Sequence, residues 1–148
     1  MADQLNPQHR SVLMRKVKAK NTRPEMTVRS TAHRLGYRYR LHVKGLPGSP
    51  DLVFPSRRKV IFVHGCFWHR HAGCRRASTP STNVEFWNAK FQRNVARDRQ
   101  KEVLLKSAGW GVLTIWECEA HDTVRIAQVI SEFLQSAKTA GIKQNVSL

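Results

Sequence analysis

All three cysteines of this chain lie in two short segments whose residue types suit metal binding. Residues 63–74 have the sequence VHGCFWHRHAGC, and residues 116–118 are WEC. Cysteine and histidine are the ligands that zinc prefers, and a structural zinc site uses four of them. We therefore predict one structural zinc ion, with the ligands Cys66, His71, Cys74 and Cys118.

Two further histidines in the first segment are left without a metal-binding role. His64 and His69 are therefore available for acid–base chemistry, which histidine performs near neutral pH. Three other histidines, His33, His42 and His121, are interpreted as ordinary surface or core residues.

Two large aromatic residues, Phe67 and Trp68, lie on the loop between these histidines. Loop aromatics in a basic protein are candidates for stacking on nucleic-acid bases or for insertion between them. Trp87 is interpreted equally well as an inserting residue or as a core residue. Its neighbour Phe86 is expected to be in the core.

The charge of the chain indicates the kind of molecule on which this chemistry acts. The 26 lysines and arginines outnumber the 10 acidic residues, and the net charge is +16. All but three of the basic residues precede residue 107, whereas the remainder of the chain is close to neutral. Such an uneven basic surface is typical of a polyphosphate binder, so nucleic acid is favoured over a membrane surface.

Length and composition predict one folded domain. The chain has 148 residues, of which 41% are hydrophobic, and this is sufficient for a real core. Residues 1–10 are polar, and no segment approaches the roughly 20 apolar residues of a membrane span. The odd number of cysteines argues against a disulfide framework and suits a reducing compartment. We expect a cytoplasmic protein.

Capping residues and hydrophobic periodicity predict the helices and strands. A capping box at Thr22-Arg23-Pro24-Glu25 begins the first helix, and Gly36 ends it. A second helix is predicted over 84–107, with a break near Asn94 left open, and a third follows the N-cap Asp122. The predicted strands cover 37–43, 51–54, 60–63 and 110–116.

The lengths of the connections predict the topology of these elements. Short turns make the first three strands antiparallel neighbours, and the long helical crossover lays strand 110–116 parallel to strand 60–63. The expected fold is thus α/β, with a central mixed four-stranded sheet flanked by helices. Cys66 and Cys118 follow adjacent parallel strands, so the topology places them side by side.

Asp51 begins the strand that runs antiparallel to strand 60–63. The start of one strand then lies beside the end of the other, so the Asp51 carboxylate, the Val63 carbonyl and His64 converge. Oxygen ligands of this kind suit Mg²⁺, which commonly assists phosphodiester cleavage. A turn-forming role is the alternative for Asp51. Glu25 is explained equally well by the capping box or by a functional role.

At this point the sequence resembles the very short patch repair (Vsr) endonucleases. The resemblance covers about residues 9 to 120, and the combination of HGCFWH with WEC makes it specific. The matching segments are Pro50-Asp51, residues 60–69, Glu85-Phe86-Trp87, Asn94-Val95, Arg97-Asp98-Arg99 and residues 116–118. The resemblance implies that the fold has a PD-(D/E)xK nuclease-like, or restriction-endonuclease-like, core.

The resemblance also implies roles for individual residues. Asp51 and the backbone carbonyl of Val63 would bind Mg²⁺, and His64, His69 and Glu25 would complete the catalytic set. The zinc ligands would be the four named above. Phe67, Trp68 and Trp87 would enter DNA from the major groove and Met14 from the minor groove. Further DNA contacts are predicted for Arg15, Lys16, Asn94 and Arg97.

The activity implied is nicking of double-stranded DNA 5′ of the T in a T:G mismatch left by deamination of 5-methylcytosine. A cytosine-5 DNA methyltransferase and mismatch-repair factors would be its functional partners, and we expect a monomer. The expected organisation is a basic DNA-contacting segment (1–21), an endonuclease domain (22–140) and a C-terminal tail (141–148).

This chain departs from the usual family pattern in two places. Val63 replaces a residue that carries a hydroxyl, and one extra residue precedes Cys74. The lysine typical of the superfamily is missing, as in the family, so a histidine mechanism is implied. Two alternatives remain open: a related nuclease with different or relaxed specificity, and a zinc-stabilised DNA-binding module without activity. Asp51 together with two spare histidines argues against the second.

Overall fold

The computed structural model describes residues 21–136, which form a three-stranded sheet packed between helices. In chain order the elements are α1 (Arg23–Arg34), β1 (Leu52–Phe54), β2 (Lys59–His64), α2 (Val84–Ser107), β3 (Gly111–Trp116) and α3 (Thr123–Gln135). Short 3₁₀ turns occupy Pro55–Arg57 and Glu117–Glu119. Met14, Arg15, Lys16 and the tail 141–148 lie outside the described residues.

The strand directions agree with the predicted topology. β1 pairs with β2 antiparallel, with Leu52 opposite Ile61. β2 pairs with β3 parallel over six positions, ending with His64 opposite Trp116. Helix α2 provides the crossover between these parallel strands. The carboxyl ends of β2 and β3 therefore lie side by side, which is the arrangement that the zinc prediction requires.

The predicted fourth strand, over 37–43, is not formed, so the part of the sheet that the structure describes has three strands. This segment makes a single antiparallel bridge, in which Arg40 and Val53 exchange backbone hydrogen bonds of 2.8 and 3.0 Å. Two residues later His42 has a φ of 55°, which turns the chain out of the extended conformation. Tyr39 nevertheless packs edge-on against Phe54. The alternating apolar residues of this segment therefore contribute to the core although the segment forms no strand.

Side-chain caps begin the first and third helices as predicted. The Thr22 hydroxyl accepts from the backbone N–H of Glu25 at 3.3 Å, and the Asp122 carboxylate accepts from the N–H of Arg125 at 3.1 Å. Each cap satisfies a backbone donor that the first helical turn leaves unpaired. Helix α2 runs through Asn94 without a break.

The sheet buries apolar residues on both faces. One face packs against α1 and α3 through a cluster that includes Val28, Ala32, Leu52, Ile61, Ile126 and Ile130. The other face packs against α2 through Val53, Val60, Phe62 and Leu105. Within residues 21–136, no helix has both the length and the apolar character needed to cross a membrane.

The C-terminal end of α3 is fixed by a buried lysine from the sheet. Lys59 is 2% exposed, and its Nζ donates to the carbonyls of Phe133 at 2.6 Å and Ser136 at 2.9 Å. Arg57 adds a hydrogen bond of 2.8 Å to the Leu134 carbonyl. Two cations thus satisfy the carbonyls that a helix end leaves without partners.

Candidate active site and metal centre

Most of the predicted site residues that the structure describes converge at the carboxyl end of β2. His64 is the last residue of this strand, and a turn over residues 66–70 follows it. The segment after β3 lies next to this turn, because the backbone N–H of Cys66 donates to Oε1 of Glu117 at 3.2 Å. Parallel pairing of β2 with β3 therefore brings together two segments that are far apart in sequence.

Four side chains at this junction form a group of metal-binding type. The candidate ligand atoms of Cys66, His71, Cys74 and Cys118 all lie within 4.8 Å of one another. Nδ1 of His71 is 3.7 Å from Sγ of Cys66 and 3.4 Å from Sγ of Cys118. Three sulfurs and one imidazole nitrogen fit the donor set of a structural zinc site. The structure thus assembles the four residues named from the sequence.

Cys66 is the buried member of this group. Its side chain is fully buried, and burial raises the pKa of its thiol to about 12. Without a cation this thiol stays protonated at neutral pH, and a metal ion bound to its sulfur would instead favour the thiolate.

Two histidines and an aspartate form a second group beside the first. The rings of His64 and His69 are stacked, with centroids 3.8 Å apart and planes inclined by 5°. Nδ1 of His69 lies 2.6 Å from Oδ2 of Asp98, which projects from α2. We predicted both histidines as site residues but gave no role to Asp98.

The surroundings of His64 keep its ring neutral near pH 7. Burial, the neighbouring His69 and the charge of Lys101 lower the pKa of His64 to about 4, against the opposing effect of Asp98. Because Asp98 engages Nδ1 of His69, the atom of that ring left for proton transfer is Nε2. The arrangement is that of a histidine base oriented by a carboxylate.

Asp51 occupies the edge of the site on the β1 side. Its Oδ2 accepts from the backbone N–H of Val63 at 2.6 Å. Burial, aided by the negative charge of Glu25, raises the pKa of Asp51 to about 6, although the Val63 hydrogen bond opposes the shift. Asp51 is therefore hydrogen-bonded to Val63 and close enough to Glu25 to feel its charge. Because His64 follows Val63 directly in the chain, Asp51 also lies near the histidine pair.

Glu25 performs its capping role and also lies in the site. Its Oε2 accepts from the N–H of Asn21 at 3.2 Å and forms an ion pair with Arg29 at 3.1 Å. A cavity of about 470 Å³ lies beside it, and Val63, His64, His69, Phe67 and Trp68 contribute to its lining. The two interpretations of Glu25 are thus compatible.

The types of donor atom at this edge of the site suit a divalent cation. Carboxylate and carbonyl oxygens are the ligand types that Mg²⁺ prefers. The nearby Glu25 carboxylate adds negative charge, as its effect on the pKa of Asp51 shows. A bound cation would favour the ionised form of Asp51 and so reverse the shift that burial causes.

The aromatic residues of the loop join a cluster that continues onto α2. Phe67 and Trp68 are half-buried, and their ring centroids are 4.9 Å apart. Trp68 lies 5.9 Å from Trp87, and Phe67 lies 5.2 Å from Phe91. Trp87 is 7% exposed, whereas Phe86 is 58% exposed. The prediction for Phe86 was wrong because each helical residue turns by about 100°, so that neighbours face different directions.

One face of α2 supplies the contacts to the loop and the histidines. Nδ2 of Asn94 donates to the Trp68 carbonyl at 3.3 Å, Asp98 holds His69, and Lys101 acts on His64. The spacing of these three residues is helical, and it was the signal in the sequence that could have identified Asp98. Arg97 points away from this face and is exposed.

Trp116 links the two groups of side chains. Its ring stacks on His71 with centroids 4.3 Å apart, and the edge of His64 lies 5.3 Å away. The metal-binding group and the histidine pair therefore share one aromatic neighbour, and displacement of either group would disturb the other.

A protein-family model described as DNA mismatch endonuclease Vsr matches residues 2–76 of the chain. The chain is also 54% identical to Type II nicking enzyme V.XorIIP of Xanthomonas oryzae pv. oryzae over 122 residues, which are 82% of this chain and 89% of that protein.

Two further relatives match over most of their lengths. The DNA mismatch endonuclease Vsr of Escherichia coli (strain K12) is 42% identical over 118 residues, covering 80% of this chain and 75% of that protein. Type II nicking enzyme V.NmeAIP of Neisseria meningitidis is 34% identical over 140 residues, covering 95% and 99%.

Proposed function

The chain belongs to the Vsr family of DNA mismatch endonucleases, and from this premise we propose that it nicks DNA 5′ of the T in a T:G mismatch. Deamination of 5-methylcytosine creates this mismatch, and the nick would initiate very short patch repair. One observation carries the proposal: His69, oriented by Asp98, lies against His64 at the end of the strand whose Val63 holds Asp51.

The histidines and Asp98 supply the proton transfers in this proposal. With Nδ1 of His69 held by Asp98, Nε2 accepts a proton from the water that attacks the phosphorus in line. The bond from phosphorus to the leaving sugar oxygen then breaks, and that oxygen takes a proton from solvent. The Asp98 carboxylate stabilises the positive charge that His69 then carries. His64 is neutral near pH 7, and its ring N–H would donate a hydrogen bond to the phosphate.

The Asp51 carboxylate and the Val63 carbonyl would hold Mg²⁺. When bound, this ion would stabilise the negative charge that develops on the phosphate. Glu25 would act through its negative charge, which raises the pKa of Asp51 and adds to the attraction for a cation, although its ion pair with Arg29 offsets part of that charge. The proposed role of Glu25 as an active-site acid is thus electrostatic and indirect.

Cys66, His71, Cys74 and Cys118 would hold a structural zinc ion. Four protein ligands leave no open position, so this ion has no part in hydrolysis. It would fix both ends of the turn that carries Phe67, Trp68 and His69. The ion thus stabilises the shape of the loop on which recognition and proton transfer depend.

Recognition is proposed to use aromatic insertion within a basic surface. Phe67, Trp68, Trp87 and Met14 would insert at the mismatch, which opens more cheaply than a paired step. The residues proposed to contact DNA beside them are Arg15, Lys16, Asn94 and Arg97. We further propose that the protein acts as a monomer in the cytoplasm. Its functional partners would be a cytosine-5 DNA methyltransferase and mismatch-repair factors.

A nicking assay on labelled duplexes tests this function. With Mg²⁺, one strand of a T:G duplex should be cut 5′ of the T, and the matched T:A and C:G duplexes should stay intact. Cutting of other mismatches at equal rates would indicate a nuclease of relaxed specificity. T:G binding without cutting in Mg²⁺ would indicate a DNA-binding module and would contradict the proposal.

A further inference from the structure

Arg70 makes an unusually complete set of contacts for a half-buried arginine on a loop. Its Nη1 donates to the carbonyls of Phe67 at 3.2 Å and Ser78 at 3.0 Å. Its Nη2 donates to the Ala77 carbonyl at 2.7 Å and to Oγ1 of Thr79 at 3.1 Å. A single guanidinium thus joins the turn that carries Phe67 to the segment 77–79, which has no helix or strand of its own.

The same guanidinium also stacks on the aromatic cluster. Its central carbon lies 3.9 Å from the ring centroid of Phe91 and 5.6 Å from that of Phe67. Phe91 belongs to α2 and is only 4% exposed. Arg70 therefore connects three parts of the protein: the aromatic turn, the segment 77–79 and the buried face of helix α2.

Only an arginine can make this set of contacts. Its planar group carries donors in a fixed fork and stacks on a ring at the same time, whereas lysine offers a single point charge. The residue stands between the proposed base His69 and the proposed zinc ligand His71, and its φ of 54° lies in the left-handed region. The backbone there is held in a conformation that a flexible loop would seldom adopt.

We propose that Arg70 is a positioning residue that holds Phe67 and Trp68 in the conformation in which they enter the DNA. This inference rests on the proposed function, because it assigns Arg70 to the aromatic insertion at the mismatch. A loop that is ordered before binding loses little conformational freedom when it inserts, and this preorganisation increases affinity for the correct site. Arg70 would therefore affect discrimination between T:G and matched DNA more than affinity for DNA in general.

The test compares Arg70→Lys with Arg75→Ala. The lysine variant keeps the charge but loses the fork, whereas Arg75→Ala removes one positive charge from an exposed residue of the same loop. The preference of Arg70→Lys for T:G over T:A duplex, in affinity and in single-turnover nicking, should fall roughly tenfold, as expected for lost charge-assisted hydrogen bonds. Its binding to the T:A duplex should stay unchanged. Arg75→Ala should weaken binding to both duplexes equally.

Two outcomes would overturn the inference. The first is an Arg70→Lys variant with the T:G preference of the wild type. The second is an equal loss on both duplexes, since Arg70 would then support DNA binding in general and not discrimination between T:G and T:A. If Arg70→Lys does not fold, Thr79→Ala decides, because it removes one acceptor and keeps the arginine. A smaller fall in T:G preference in that variant supports the inference, and an unchanged preference contradicts it.

Hydrogen exchange of the free protein separates this inference from the proposed function. Amides of residues 66–79 should exchange faster in Arg70→Lys than in the wild type, and those of β2 should not change. Equal exchange in this segment would overturn the positioning role even if T:G nicking is observed. A wild-type protein that never nicks T:G duplex would instead contradict the proposed function, whatever the exchange result.

Discussion

Oδ2 of Asp98 lies 2.6 Å from Nδ1 of His69, and this contact joins the middle of helix α2 to the loop after β2. The ring of His69 is thereby fixed against that of His64. The exposed fractions of the two side chains are 31% for His69 and 20% for Asp98, so solvent still reaches the pair. A base needs both properties, a fixed orientation and access to water.

Replacing Asp98 by asparagine should slow nicking without weakening DNA binding. The amide keeps the shape of the side chain but cannot stabilise a positive His69, so the single-turnover rate should fall about 10²-fold or more. Rates and affinities measured on T:G duplex separate the two effects. Glu102→Gln, one turn further along α2 in an exposed ion pair with Lys106, is the control and should leave the rate unchanged. Wild-type nicking by Asp98→Asn would exclude the proposed base.

Replacing Asp51 by asparagine should abolish nicking and increase stability. The pKa of Asp51 is raised from 3.8 to about 6 in the folded protein, so folding loses stability as the pH rises from 3.8 to 6. The full cost above pH 6 is about 3 kcal/mol at most. Without Mg²⁺, Asp51→Asn should therefore unfold at a higher temperature than the wild type at pH 7.5, and at the same temperature below pH 3.8.

The same substitution tests the proposed magnesium site. Adding Mg²⁺ at pH 7.5 should stabilise the wild type but not Asp51→Asn, because only an ionised carboxylate attracts the cation. The Mg²⁺ concentration needed for half-maximal nicking by the wild type should rise as the pH falls below about 6. Equal stabilisation of both proteins by Mg²⁺ would mean that the ion binds elsewhere.

Removing one cysteine or histidine of the metal-binding group should release zinc. Purified wild type should contain one zinc per chain by elemental analysis, and Cys118→Ser and His71→Ala should contain little and unfold at a lower temperature. His121→Ala, at an exposed histidine outside the group, should match the wild type in both measurements. A metal-free wild type of full stability would contradict the zinc proposal.

Replacing Trp68 by alanine should reduce mismatch preference. If the ring inserts at the mismatch, Trp68→Ala should lose T:G affinity and nicking rate, and the gap between T:G and T:A duplexes should narrow. Trp110→Ala is the matched control, since Trp110 packs under Arg58 just before β3 begins, at the opposite end of the parallel strands from Trp68. It should lose thermal stability but keep its preference for T:G. If Trp68→Ala instead loses thermal stability and keeps its preference for T:G, Trp68 is a core residue and the insertion proposal is wrong.

The sequence pattern predicted correctly those features that depend on interactions between residues close together in the chain or on the direction of the strands. The caps at Thr22 and Asp122 follow from interactions within four residues. The assembly of Cys118 with the first cysteine segment followed from strand direction, because parallel neighbours end at the same edge of a sheet. Both predictions rest on rules that do not require knowledge of side-chain packing.

Tertiary packing decided the features that the sequence did not predict. Asp98 meets His69 across 29 residues, and only the rotation of α2 against the sheet aligns them. The strand predicted over 37–43 ends after one bridge because His42 adopts a left-handed φ, which no residue pattern announced. Phe86 is exposed, against the expectation, and Trp87 is buried, because the rotation of the helix and not its composition sets their exposure.

The separation of the metal-binding residues along the chain bears on how the protein is made. His71 and Cys118 lie 47 residues apart and meet only because β3 pairs with β2. During synthesis the last proposed ligand leaves the ribosome late, so the earlier three must wait for it, with the thiols of Cys66 and Cys74 unprotected. The proposed zinc ion would stabilise the nascent domain only after the parallel pairing has formed, and non-local pairing of this kind is intrinsically slow. Cells short of zinc, or under oxidative stress, should therefore accumulate inactive newly made protein while the copies already folded continue to work.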